Sequence, residues 1–172
     1  RDAWAPGELI EFWTDLIEHW LSNPFGATLD EYLVAANFAR RAVDAAETDV
    51  TPGLHIAALV TQSLIVEELA RFNRDDDSVF LWNEEALSAA EQAIQLLQSK
   101  ELSGWLANED GHSLRSEVVC RFLDALQSDF QRNGSKERKE RYIAAVKDWA
   151  AAEDVVSNPD VKRHVQELAG FE

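Results

Sequence analysis

Asp75-Asp76-Asp77 is the densest group of potential metal ligands in this 172-residue chain. Calcium loops supply oxygen ligands at alternate positions and close with a bidentate glutamate at the twelfth. Counted from Asn73, the residues Asp75, Asp77 and Glu84 fall at positions three, five and twelve. The frame departs from the pattern at Asn73 itself, at Ser78 where the sharp turn calls for glycine, and at Leu81 in position nine. A second frame places Asn108, Asp110, Gly111 and Glu117 at positions three, five, six and twelve, but starts on Leu106, which has no ligand to give. A solvated acidic turn is therefore the leading expectation at both places. A small helical metal-binding protein or enzyme built on Asp75–Asp77 is kept as an alternative. Magnesium-dependent diphosphate chemistry would need a second acidic element facing the first, and the sequence offers none.

The other reactive side chains are dispersed. His19, His55, His112 and His164 form no His-x-x-x-His pair, and no cysteine stands at zinc spacing, so surface or half-buried histidines are expected. Cys120 lies among Val118, Val119, Phe122 and Leu123, which predicts a small buried apolar residue and not a nucleophile. No glycine-rich phosphate loop and no Gly-x-Ser-x-Gly elbow occurs. The chain reads as a non-enzyme without a cofactor.

Recognition is the better-supported chemistry. Apart from Arg1, Arg40 and Arg41 are the only bases in the first 70 residues. On one helix of a stacked hairpin such a pair could clamp a carboxylate, with Asn37 bonding a bound peptide's backbone. The plainer expectation is ion pairing with Asp44 or Glu47 one turn on. Six tryptophans are many for this length, and tryptophan is enriched at binding hot spots. Trp13 and Trp20 sit on an apolar stripe and belong to a core. Trp4, Trp82 and Trp105, outside or at the edges of helices, are the candidates for exposed anchors.

Charge narrows the partner. The net charge is -16, and residues 1–100 hold 18 acids against 6 bases. That field repels phosphate backbones and anionic membranes and favours a basic protein partner. Lys136-Glu-Arg-Lys-Glu-Arg141 alternates its signs and reads as a helix start laced with ion pairs. The longest apolar run is well short of the roughly 20 residues that span a bilayer, so no membrane span is expected. One cysteine excludes an internal disulfide framework and suits a reducing, intracellular and cytoplasmic setting. The chain has no methionine and opens on Arg1, which reads as a processed or excised fragment.

The elements that must carry these residues are all helical. Apolar residues at three- and four-residue spacing predict about seven helices, near 6–21, 29–47, 53–72, 82–98, 113–131, 135–156 and 159–169. Thr28 with Glu31 makes a capping box, and Thr51-Pro52 and Asn158-Pro159 are further start signals. From Leu54 to Leu69 the third helix is apolar almost all round, which predicts the buried centre of a bundle. Residues 99–112 carry turn signals around Trp105-Leu106. No segment alternates with the period of a strand, so one all-α domain is expected over 1–172.

Three times an apolar helix ends on an aromatic, breaks, and gives way to an alanine-rich helix: after Trp20, after Phe72 and after Phe130. The second unit carries Glu68-Leu-Ala-Arg-Phe-Asn-Arg-Asp-Asp-Asp77 followed by Ala86-Leu-Ser-Ala-Ala-Glu-Gln-Ala-Ile94, and the first carries Ala39-Arg-Arg-Ala-Val-Asp-Ala45. These residues resemble the tetratricopeptide-like arrays associated with caspase-like protease domains. The resemblance implies stacked antiparallel hairpins, here over about 6–47, 52–98 and 113–156 with a terminal helix at 159–169. The aromatic anchors stand 52 and 58 residues apart, away from the repeat of roughly 34 in such arrays, so an irregular helical bundle stands beside a degenerate repeat.

The function read from sequence is a protein-protein interaction or regulatory module that takes a partner peptide or helix into a groove between hairpins. Asn37, Arg40, Arg41, Trp82 and Trp105 are its candidate contacts. An acidic inhibitor mimicking nucleic acid or blocking a basic active site is the alternative; it needs Glu8, Glu11, Asp15, Glu18, Asp75–Asp77, Glu84 and Glu85 on one convex face. Oligomeric state is open.

Overall fold

A computed structural model describes residues 15, 19, 28–48, 53–99, 109–152 and 157–171. Six helices are bounded among the described residues, α1 (Leu29–Ala46), α2 (Leu54–Phe72), α3 (Val79–Leu97), α4 (Glu109–Asn133), α5 (Lys136–Ala150) and α6 (Pro159–Leu168), and a 3-10 turn follows at Ala169–Phe171. Asp15 and His19 are also helical and exposed. No strand occurs among the described residues. The chain divides into two compact units, Arg1–Ala93 and Ile94–Glu172, with the division inside the last turn of α3.

In the first unit α1 starts as its sequence dictates. Thr28 Oγ1 accepts from the Glu31 N–H at 3.3 Å, and Glu31 Oε2 accepts from the Thr28 N–H at 2.7 Å, satisfying two donors that the helix start leaves open. Ala35, Ala36, Ala39, Ala42 and Ala46 are all buried, and their small side chains let the backbone of α1 come close to its neighbour. α2 is the centre: no residue from Leu54 to Ala70 is exposed. Gly53 precedes it with φ 81°, a conformation in which a β-carbon would be strained. Ile65, Val66, Leu69 and Ala70 of α2 meet Tyr32, Ala35, Ala36 and Ala39 of α1 and Trp82 and Ala86 of α3 in one cluster.

α3 begins three residues before the position that periodicity indicates, because Asp76 and Ser78 organise its start: Asp76 Oδ1 accepts from the Ser78 N–H at 2.8 Å, and Trp82 N–H donates to the Ser78 carbonyl at 3.0 Å. The helix α4 likewise runs through Glu109-Asp-Gly111, where turn residues pointed to a break. Thr51 and Pro52 lie outside the described residues.

The second unit packs α4, α5 and α6 together around Val119, Leu123, Leu126, Tyr142, Val146, Val161 and His164. Gly134, at φ 58°, turns the chain between α4 and α5. Ser135 caps α5 by accepting from the Arg138 N–H at 3.2 Å. Across that turn the buried carboxylate of Asp129 accepts from Arg138, with Arg132 at 3.9 Å. Asn158 caps α6 by accepting from the Asp160 N–H at 2.9 Å, with Pro159 in the first turn.

Candidate partner-docking site

Arg40 is held inside its own unit. Its Nε donates to Glu85 Oε1 at 2.6 Å and its Nη2 to Glu85 Oε2 at 2.7 Å, a bidentate pair between α1 and α3. Gln62 of α2 donates to Glu85 Oε1 at 2.9 Å, and Arg40 Nη1 donates to Asn37 Oδ1 at 2.8 Å. Burial pushes the Glu85 carboxyl up, but its bonds from Arg40 and Gln62 outweigh that and leave it below its ordinary value. The same bond raises the Arg40 guanidinium, against a smaller effect of burial. The pairing expected with Asp44 or Glu47 is therefore corrected to Glu85, 45 residues away, because the helix packing brings a better-oriented carboxylate to the fork. Arg41 is exposed, with its guanidinium carbon 5.6 Å from the centre of the Phe38 ring.

Trp82 is not an exposed anchor. It is 8% accessible and packs in the core cluster with Val66, Leu69 and Tyr32, since the early start of α3 turns it inward. Trp4, Trp13, Trp20 and Trp105 lie outside the described residues, as do Glu8, Glu11 and Glu18 of the acidic face and His112 as a side chain.

The acidic turn is built for helix ends. Asn73 Nδ2 donates back to the Leu69 carbonyl at 2.8 Å, closing the end of α2, and the Asp76 carboxylate is committed to Ser78. Main-chain bonds from Asp76 to Asn73 at 3.0 Å and from Val79 to Asp76 at 3.2 Å keep the turn compact. Asp75, Asp77 and Glu84 are exposed and enter no ion pair among the described residues. No group of three or more histidine, cysteine, aspartate or glutamate side chains among the described residues is placed to hold a metal ion.

What flanks this turn is apolar. Phe72, Phe80 and Leu81 are 62%, 65% and 66% exposed. The Phe72 ring stacks on Tyr32 at 5.8 Å between centroids, and Arg71, paired to Glu68 at 3.3 Å, has its guanidinium carbon over the Phe72 ring at 5.9 Å from its centre. Phe72 is thereby oriented while most of its surface stays open. A signal for this patch was present in the sequence: Val79-Phe-Leu-Trp82 is four apolar residues in succession, and one helix start cannot turn all four to the core.

The second unit contains a buried polar chain that residue types alone did not indicate. His164 is fully buried, where a surface or half-buried position was expected. Its Nδ1 is 2.7 Å from the Tyr142 hydroxyl and its Nε2 is 2.7 Å from Asp124 Oδ1, so both ring nitrogens are satisfied and burial carries no orphan cost. Arg163 donates to Asp124 Oδ1 at 2.8 Å, and Glu167 lies 3.4 Å from the Tyr142 hydroxyl and accepts from Gln127. Burial would raise Asp124, but His164, Arg121 and Arg163 together hold it below its ordinary value. Burial and the neighbouring Glu167 push the Tyr142 hydroxyl well up. Tyr142 and His164 are closed to solvent, Asp124, Arg163 and Glu167 are partly open to it, and the chain ties three helices together.

Cys120 is buried as expected. Burial and the nearby carboxylates of Asp160 and Asp124 push its thiol up to about 11. No helix among the described residues is long and apolar enough to cross a membrane. No protein-family model, curated protein or solved structure matches the chain.

Proposed function

We propose that this chain is a protein-protein interaction or regulatory module that docks a partner peptide or helix against the helical hairpins of its first unit. The observation that carries this reading is the exposure of Phe72, Phe80 and Leu81 around one compact turn. Large apolar side chains grouped on a surface mark interaction sites more often than isolated ones do. Aromatic residues held in place by neighbours, as Phe72 is by Tyr32, bind without first losing conformational freedom. Within this reading the hairpins are a degenerate tetratricopeptide-like array, and the partner is a protein and not a nucleic acid, in keeping with the net charge of -16. Arg40 and Asn37 serve as the brace of the unit, and Arg41, exposed beside Phe38, is kept as a further candidate contact. The setting is intracellular.

Photo-crosslinking tests it. A photoreactive phenylalanine analogue at position 80, introduced in the native source, is expected to yield a discrete conjugate that disappears with Leu81→Ser. The same analogue at the exposed position 44 is expected to yield none. Equal labelling from both positions would remove the docking reading.

A further inference from the structure

Acids outnumber bases among the exposed charges around the apolar side chains: Asp75, Asp77 and Glu84 stand against Arg71 and Arg74. Asp75 and Asp77 lie in the turn that joins Phe72 to Phe80, and Glu84 is one helical turn beyond Phe80. All three are exposed and without an ion pair among the described residues, whereas Arg71 and Arg40 are each held by a carboxylate of the same unit. Arg74, the remaining base in the turn, donates its Nε to the Arg71 carbonyl at 3.2 Å. Arg74 keeps its charge, since a carbonyl acceptor is neutral, and the turn between Phe72 and Phe80 with Glu84 carries an acidic excess beside exposed apolar side chains.

Resting on the docking reading above, we infer that the occupant of the Phe72–Phe80–Leu81 patch is a cationic amphipathic helix, with its apolar stripe on the three side chains and its lysines or arginines over Asp75, Asp77 and Glu84. A helix fits better than an extended segment. The described residues present no strand edge to satisfy an extended backbone, while a helix satisfies its own and docks through side chains alone. A second copy of this chain fits poorly, since self-docking would bring two acidic turns together between molecules that each carry a net charge of -16.

The probe is an amphipathic leucine–lysine peptide of about 18 residues, long enough for roughly five helical turns, with a second peptide in which every lysine is glutamine. Binding to the full chain is read by fluorescence anisotropy. The lysine peptide is expected to bind at least about tenfold more tightly than the glutamine peptide and to lose that advantage at high salt, because exposed charges are screened. Asp75→Asn with Asp77→Asn should weaken it several-fold, Phe80→Ser with Leu81→Ser should abolish it, and Asp44→Asn with Glu47→Gln should leave it unchanged. These four positions on the patch and turn are exposed, so the variants keep the fold, as circular dichroism would verify.

Equal affinity for the two peptides overturns the cationic partner while leaving apolar docking intact. Binding that survives Phe80→Ser with Leu81→Ser but falls with every acid variant is unspecific attraction and overturns the site. Failure of both peptides, together with no specific conjugate from position 80, overturns the docking reading itself. Dimerisation lost in the Phe80→Ser, Leu81→Ser variant assigns the patch to a second copy, and intramolecular conjugates from position 80 to residues 1–27 assign it to the chain's own segment; each overturns the inference.

Discussion

Arg40 and Glu85 meet fork to fork between α1 and α3, at 2.6 and 2.7 Å, and Gln62 of α2 joins the same carboxylate at 2.9 Å. One carboxylate thus links the helices α1, α2 and α3 at their polar edge, beside a core to which α1 contributes mainly alanine. Small residues allow close approach but give little shape to fix the helices in register; a bidentate pair supplies that geometric definition.

Glu85→Ala is expected to destabilise the first unit by about 1–2 kcal/mol, since it strands the Arg40 guanidinium and the Gln62 amide. The figure is below that of a fully buried pair because the Arg40 side chain is 35% exposed and water screens it. Urea unfolding of Glu85→Ala, Arg40→Ala and the double variant measures the coupling; additive losses would deny the pair a structural role.

His164 should matter more to the second unit than any other polar residue there. His164→Ala removes a fully buried ring and leaves the Tyr142 hydroxyl with only the long bond to Glu167 and Asp124 with Arg163, an expected loss of about 3 kcal/mol. Tyr142→Phe deletes one hydroxyl and orphans one imidazole nitrogen, for about 1–2 kcal/mol. Thermal unfolding ranks the two, and a neutral Tyr142→Phe would mean that the hydroxyl bond adds nothing net.

Acid should weaken both units through two carboxylates. Glu85 and Asp124 are held below their ordinary values in the folded chain, so they bind protons more readily when unfolded. Their contribution is therefore complete above the unfolded value and is lost as pH falls through the depressed folded value. Denaturant unfolding across the acid range should show stability falling with pH, with a shallower fall in Asp124→Asn. An unchanged slope in that variant would place the acid sensitivity elsewhere.

Cys120 should resist modification near neutral pH. With its thiol raised to about 11 and its side chain buried, the thiolate is scarce and sheltered. Alkylation is expected to follow unfolding; rapid labelling of the folded chain would contradict the burial.

Much of the architecture was legible from local chemistry. The Thr28–Glu31 capping box and the Asn158–Pro159 start are decided by residues within a turn of each other, and both form as their types require. The apolar run from Leu54 to Leu69 announced a central helix for the same reason, since a helix without a polar face has no side to give to water. The candidate site was less legible. Arg40 pairs across 45 residues, His164 finds its partners 22 and 40 residues away, and Trp82 turned inward when α3 started at Val79.

What the sequence determined by itself, then, is what short-range spacing controls: helical class, the capped starts of α1 and α6, the small-residue face of α1 and the acidic character of the turn after Phe72. Only the tertiary structure decided which charges cancel and which apolar side chains stay in water. The physical reason is that burial and ion pairing depend on neighbours distant along the chain, so Glu85 could neutralise Arg40, and Phe80 and Leu81 could be left uncovered, only once α1, α2 and α3 had packed.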